Sequence, residues 1–159
     1  MVADLLDQVG ARRSVALEVQ RPGIGAGDVV VAPEAPIALD LVAERVPEGV
    51  VVRGVVTAPW TAACARCLAP ASGQVEVHVD ELFEPAPEPG ETYLLDGDHI
   101  DLEPLVRDAI VLELPAVAHC RDDCAGLCPQ CGVDLNQTEC DCVADDSDPR
   151  WAALGSLEL

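Results

Sequence analysis

Eight cysteines, nearly all arranged in pairs, are the residues of this chain best suited to chemistry. Cys64-Ala65-Arg66-Cys67 and Cys128-Pro129-Gln130-Cys131-Gly132 are two C-x-x-C units; Cys120 and Cys124 are separated by three residues, and Cys140-Asp141-Cys142 closes the series. A two-residue gap lets two thiolates point into one tetrahedral site, each roughly 2.3 Å from a Zn²⁺ ion. Gly132 suits a tight turn whose amides face the sulfurs, and Pro129 stiffens that turn. Cys128, Cys131, Cys140 and Cys142 are therefore expected to hold one zinc ion in a closed, structural site with no position left for water. Cys64 and Cys67 with Cys120 and Cys124 either share a second four-thiolate site or remain free thiols. A thioredoxin-like redox role for Cys64–Cys67 would need a helix N-terminus to lower one thiol's pKa. Leu68-Ala69-Pro70-Ala71-Ser72-Gly73 follows instead, and reads as a turn between strands, so redox chemistry is the weaker reading.

Other catalytic constellations are missing. The chain has no G-x-S-x-G, Walker A, G-x-G-x-x-G or H-E-x-x-H motif. Of its histidines, His78 falls at a polar strand position and His99 in an acidic stretch, while His119 could substitute as a ligand beside Cys120. Carboxylates without a geometric partner carry little meaning. The expectation is a non-enzyme.

Charge narrows the partners. The 159 residues carry 29 acids against 9 basic residues, every one an arginine, for a net charge of −20. The imbalance is concentrated in residues 76–159, whose net charge is −18, against −2 for residues 1–75. Such a chain repels phosphate backbones, whose binding depends on clustered basic residues. With only Trp60, Phe83, Tyr93 and Trp151 as aromatic side chains, no base-stacking platform is expected. Tight direct RNA binding is not expected, whereas a basic protein partner fits, because opposite fields speed encounter. The longest uncharged run, Gly54 to Ala65, is too short to span a membrane and contains Pro59. Asp4 and Asp7 interrupt the first apolar residues, so no secretory signal is read and a cytoplasmic location, with reduced thiols, is expected.

The elements that must position the cysteines follow from periodicity. Period-2 alternation marks strands over Arg12–Gln20, Ile37–Val42 and Gln74–Leu82, with Val29–Val31 and the β-branched Gly49–Val56 as further strands. Residues 21–28 read as a Gly/Pro loop, and Phe83–His99, with three prolines, as an exposed and mobile acidic loop. Leu102, Leu105, Val106, Ala109 and Ile110 lie on one helical face, with Asp101 as N-cap, Pro104 in the first turn and Pro115 as the stop. A last short helix is expected from Asp148-Pro149 through Trp151, Leu154 and Leu157. The fold class is thus α+β: an antiparallel β-rich sheet or partly closed barrel, one main amphipathic helix and a C-terminal cysteine-rich zinc-binding segment. The expected division is 1–118 for the β-rich core with its covering helix and 119–159 for the zinc-binding segment and tail.

Together these motifs resemble the YceD family of large ribosomal RNA subunit accumulation proteins. The resemblance lies in Cys64-Ala65-Arg66-Cys67-Leu68, in Ile100-Asp101-Leu102 with Pro104-Leu105-Val106, Asp108, Ile110 and Leu112-Glu113-Leu114-Pro115, and in Gly126 to Asn136. It continues through Cys140-Asp141-Cys142, Asp148-Pro149-Arg150, Leu154 and Leu157, and covers about residues 10–159. It implies a non-enzymatic ribosome biogenesis factor and supplies no catalytic residue. Bacterial members are commonly encoded beside a small basic large-subunit protein. Joined to the charge argument, it points to a basic large-subunit ribosomal protein or large-subunit precursor as partner. The contact surfaces would be the acidic stretches Glu81–Asp101 and Asp141–Asp148. The alternatives are a zinc-ribbon RNA-binding protein and a zinc/thiol redox sensor.

Overall fold

The computed structural model describes residues 1–142 and Arg150. The C-terminal helix expected from Asp148 onward, and most of the 141–148 tail, lie outside the described residues. Eight strands form a curled, half-barrel sheet covered by one helix of eleven residues. The strands are β1 (Arg12–Val19), β2 (Gly25–Ala26), β3 (Val29–Val31), β4 (Ile37–Arg45), β5 (Val50–Ala63), β6 (Pro70–Glu84), β7 (Tyr93–Asp96) and β8 (His99–Ile100). A single-turn helix α1 (Ala3–Leu6) precedes them and α2 (Glu103–Glu113) follows.

The sheet runs β1-β4-β5-β6-β7-β8, with β3 against the far half of β5 and β2 beyond β3. Alternation on β4 sends Ile37, Leu39, Leu41 and Ala43 inward and Ala38, Asp40 and Val42 outward. On β6, Val75 and Val79 are buried while Glu76, His78 and Asp80 are exposed. The long hairpin β5–β6 is the spine of the molecule, paired from Val50↔Phe83 to Ala63↔Pro70. It runs past the expected strand ends to the Cys64–Cys67 turn. Pro59 is tolerated because it sits where β4 has ended, at Ala38↔Thr57, and β3 begins, at Val31↔Trp60. Its missing N–H falls in the gap between the two neighbours.

Leu105, Val106, Ile110 and Leu114 bury one face of α2 against β5 and β6. Asp101 Oδ1 accepts the Glu103 N–H at 2.9 Å, and Leu114, just before Pro115, leaves helical geometry. Three expectations need correction: residues 21–28 contain the two-residue strand β2, Pro70–Gly73 belong to β6 and not to the turn, and Phe83–His99 is not loop throughout. Tyr93–Asp96 forms β7, parallel to the end of β6, and turns at Gly97 into β8. This parallel pair departs from a wholly antiparallel sheet. Leu95 is buried, and the Tyr93 ring stacks on Phe83 with centroids 5.2 Å apart. Apolar burial of this kind outweighs the loop-forming composition around it. Residues 85–92 remain loop, pinned where Thr92 Oγ1 donates to Glu84 and accepts the Glu88 N–H.

Candidate metal centres

The two C-x-x-C units fold into the same knuckle. In the first, the Leu68 N–H donates to Cys64 O at 2.9 Å and the Cys64 N–H to Ala69 O at 2.8 Å. In the second, the Gly132 N–H donates to Cys128 O and the Cys128 N–H to Val133 O, both at 2.8 Å. The residue after the second cysteine takes positive φ in each: +62° at Leu68 and +74° at Gly132. Glycine adopts this conformation without penalty; leucine does not.

Each knuckle meets a second cysteine pair. The Sγ atoms of Cys64, Cys67, Cys120 and Cys124 lie within 4.8 Å of one another, and so do those of Cys128, Cys131, Cys140 and Cys142. Each group could hold a metal ion. Four sulfurs at 2.3 Å from a common centre stand roughly 3.8 Å apart. Cys67–Cys120 and Cys64–Cys124 are separated by 3.6 and 3.9 Å. The protonation chemistry fits a cation as well. The amide of Cys67, with further amide donors, pulls Cys64 down to about 5 against its burial. Hydrogen bonding to Cys67, burial and the other sulfurs push Cys120 up to about 12. In the second group the Cys131 and Gln130 amides bring Cys128 to about 6, while hydrogen bonding to Cys131 and Cys128 sends Cys142 to about 12. Backbone amides thus stabilise one thiolate per group. A positive ion at the centre of each group would favour the thiolate forms further.

The first group staples the β5–β6 hairpin tip to the segment after α2, across the expected 118/119 division. The Ala65 N–H donates to Ala118 O at 2.9 Å, and Arg66 Nη1 donates to the carbonyls of Asp122 and Cys124 at 3.1 and 3.0 Å. The Leu127 N–H donates to Arg66 O at 3.0 Å and carries the chain into the second knuckle. Asn136, to which sequence reasoning assigned no role, joins the parts. Its Oδ1 accepts from Arg121 and from the Ala125 N–H at 2.7 and 2.8 Å, and its Nδ2 donates to Cys124 Sγ at 3.5 Å. Its place in the Cys128-to-Asn136 motif was the only available signal. His119 belongs to neither cluster, and His78 and His99 are exposed.

A family model described as large ribosomal RNA subunit accumulation protein YceD matches residues 52–158. The chain belongs to the YceD family. Among its relatives, uncharacterized protein Rv2926c of Mycobacterium tuberculosis is 44% identical over 138 residues, 82% of this chain and 66% of its own length. Uncharacterized protein ML1660 of Mycobacterium leprae is 42% identical over 142 residues, 84% of this chain and 64% of its own length. The chain therefore spans about two thirds of these mycobacterial proteins. The chloroplastic YCED homolog 1 of Arabidopsis thaliana, named as a large ribosomal RNA subunit accumulation protein, is 38% identical over 58 residues, 36% of this chain and 18% of its own length. No solved structure matches the chain.

Proposed function

We propose that this YceD-family chain is a non-catalytic ribosome biogenesis factor. In this reading it supports accumulation of large-subunit ribosomal RNA by engaging a basic large-subunit ribosomal protein, or an assembly intermediate that displays one. Two zinc ions, one at each cysteine tetrad, hold the C-terminal segment onto the β-hairpin.

The disposition of the arginines carries this reading. Arg12 pairs with Glu44, Arg13 with Asp4, Arg53 with Asp80 and Glu44, Arg21 and Arg107 with Glu103, and Arg121 with Asp123. Arg45 and Arg66 donate to backbone carbonyls. Arg12, Arg13 and Arg66, the nearest the chain comes to a basic cluster, each have a partner within the chain, and the exposed pairs of Arg12 and Arg13 offset part of their positive field. The ion pairs among the described residues pass over Glu81, Glu91 and Asp108. These carboxylates line a cleft of about 430 Å³ with Tyr93, Val111 and Leu112. Burial, helped by neighbouring Asp80, raises the Glu81 carboxyl, so a cation there would relieve an electrostatic cost. Leu112, 86% exposed, offers an apolar wall to the stem of a lysine or arginine. The small basic protein encoded beside family members is the first candidate occupant.

Neutralising Glu81 and Glu91 to glutamine tests the surface. The double variant is expected to bind the basic protein more weakly and with a shallower salt dependence than the parent chain. Unchanged affinity and unchanged salt dependence would reject the cleft as the contact.

A further inference from the structure

The two tetrads differ in how well protein covers them. In the first, Cys64 is 0% and Cys124 4% exposed, their sulfurs accept hydrogen bonds from the Arg66 N–H and Asn136 Nδ2, and Cys120 alone of the four is exposed. Its two strands of chain are tied together through Ala65–Ala118, Arg66–Asp122 and Arg66–Cys124. In the second, Cys128 is buried, but Cys131 and Cys142 are exposed. Among the described residues, no backbone–backbone hydrogen bond holds residues 139–142. Oxidants reach thiolates according to access and thiolate character, and metal ligation enforces thiolate character in both groups alike. What separates them is the number of accessible thiolates: one in the first group, Cys120, against two in the second, Cys131 and Cys142.

We propose that the second tetrad is a site of reversible oxidative modification, in which a hydroperoxide joins Cys131 and Cys142 in a disulfide while the first tetrad stays reduced and closed. This rests on the reading that both tetrads hold metal. One exposed thiolate attacks the peroxide O–O bond, becoming a sulfenic acid and releasing alkoxide or hydroxide. The other thiolate displaces hydroxide from that sulfur and forms the S–S bond. The two sulfurs together give up two electrons, which the peroxide oxygens accept. The Sγ atoms start within 4.8 Å of each other, so forming the disulfide brings them together by less than about 3 Å. Cys128 and Cys140 are then too few to retain the ion. The staple at Cys64, Cys67, Cys120 and Cys124 still holds the segment to the hairpin, so reduction can restore the site.

The test uses the purified, metal-loaded chain treated with limiting hydrogen peroxide. Metal content is measured first, released metal is followed with a chromogenic chelator, and disulfides are mapped by differential alkylation and mass spectrometry. The expected result is loss of one of two equivalents with a Cys131–Cys142 disulfide, reversed by dithiothreitol and added zinc. A first disulfide within Cys64, Cys67, Cys120 and Cys124, loss of both equivalents at one rate, or irreversible oxidation would overturn the proposal. Should the initial analysis find no metal, the metal reading itself falls, and disulfide mapping still decides which tetrad oxidises first.

Discussion

At the residue scale, positive-φ positions and the half-buried Tyr93 phenol carry the sharpest consequences. Gly132 holds φ +74° with open space where a Cβ would stand, so a substitution there meets backbone strain alone. Gly132→Ala is expected to cost about 1–2 kcal/mol. That is on the order of ten-fold in metal affinity at the second tetrad, measured by chelator competition; equal affinity for the parent and the variant would contradict the knuckle geometry. Tyr93, the chain's one tyrosine, is pushed up to about 12, by burial first and then by its hydrogen bond to Asp108. A group whose folded pKa lies above its unfolded value stabilises fully below the unfolded value, roughly 10 for tyrosine. That contribution disappears as pH rises through the folded value. Stability is therefore expected to fall between about pH 10 and pH 12, with phenolate absorbance appearing at the upper end. Asp108→Asn should move the phenolate midpoint part of the way back, and a midpoint at the unfolded value in the native parent would be the contrary finding.

At the scale of elements, the β5–β6 hairpin and the post-helix segment depend on one another through the first tetrad. Cys131→Ser should remove one metal equivalent and expose amides of residues 127–142 to hydrogen exchange, while the Ala65 amide stays protected by Ala118. Cys64→Ser should release protection in both places, because the second knuckle hangs from Arg66. Equal loss in the two variants would show that the tetrads are not ordered in this way. Within the sheet, Gly54 sits at φ +149°, and a Cβ would stand 2.1 Å from the carbonyl oxygen of Asp40. Gly54→Ala is expected to destabilise by about 1–3 kcal/mol in chemical denaturation, and a neutral result would refute the close approach of β4 and β5. Much of this was legible beforehand. Ile37, Leu39 and Leu41 alternate with Asp40, and Leu105, Val106 and Ile110 repeat at helical spacing, because those faces are each buried on one side. The strand β7 was not legible: four residues beside a Pro- and Glu-rich run owe their conformation to Leu95 burial and the Tyr93–Phe83 stack. The burial of Val2 and Leu5 around α1 likewise depends on tertiary contacts that no local pattern announces. Cysteine spacing pointed to the Cys128/Cys131 and Cys140/Cys142 grouping. Whether Cys120 and Cys124 meet Cys64 and Cys67 depended on where the end of α2 falls relative to the hairpin tip, which only the folded chain determines.

At the scale of the whole molecule, the sign of the charge bears most on the choice of partner. Residues 76–159 carry a net charge of −18, and the arginines from Arg12 to Arg121 are engaged internally. At about 0.15 M ionic strength the Debye length is roughly 8 Å, so distant repulsion is screened but repulsion between carboxylates and phosphates in contact remains. The most direct measurement is a side-by-side titration, at one salt concentration, of the chain against protein-free large-subunit RNA and against purified basic large-subunit proteins. Salt-sensitive binding to a basic protein and no tight binding to the RNA are expected. Submicromolar affinity for the naked RNA, with none for any of those proteins, would contradict this reading and leave an RNA-binding zinc ribbon in its place.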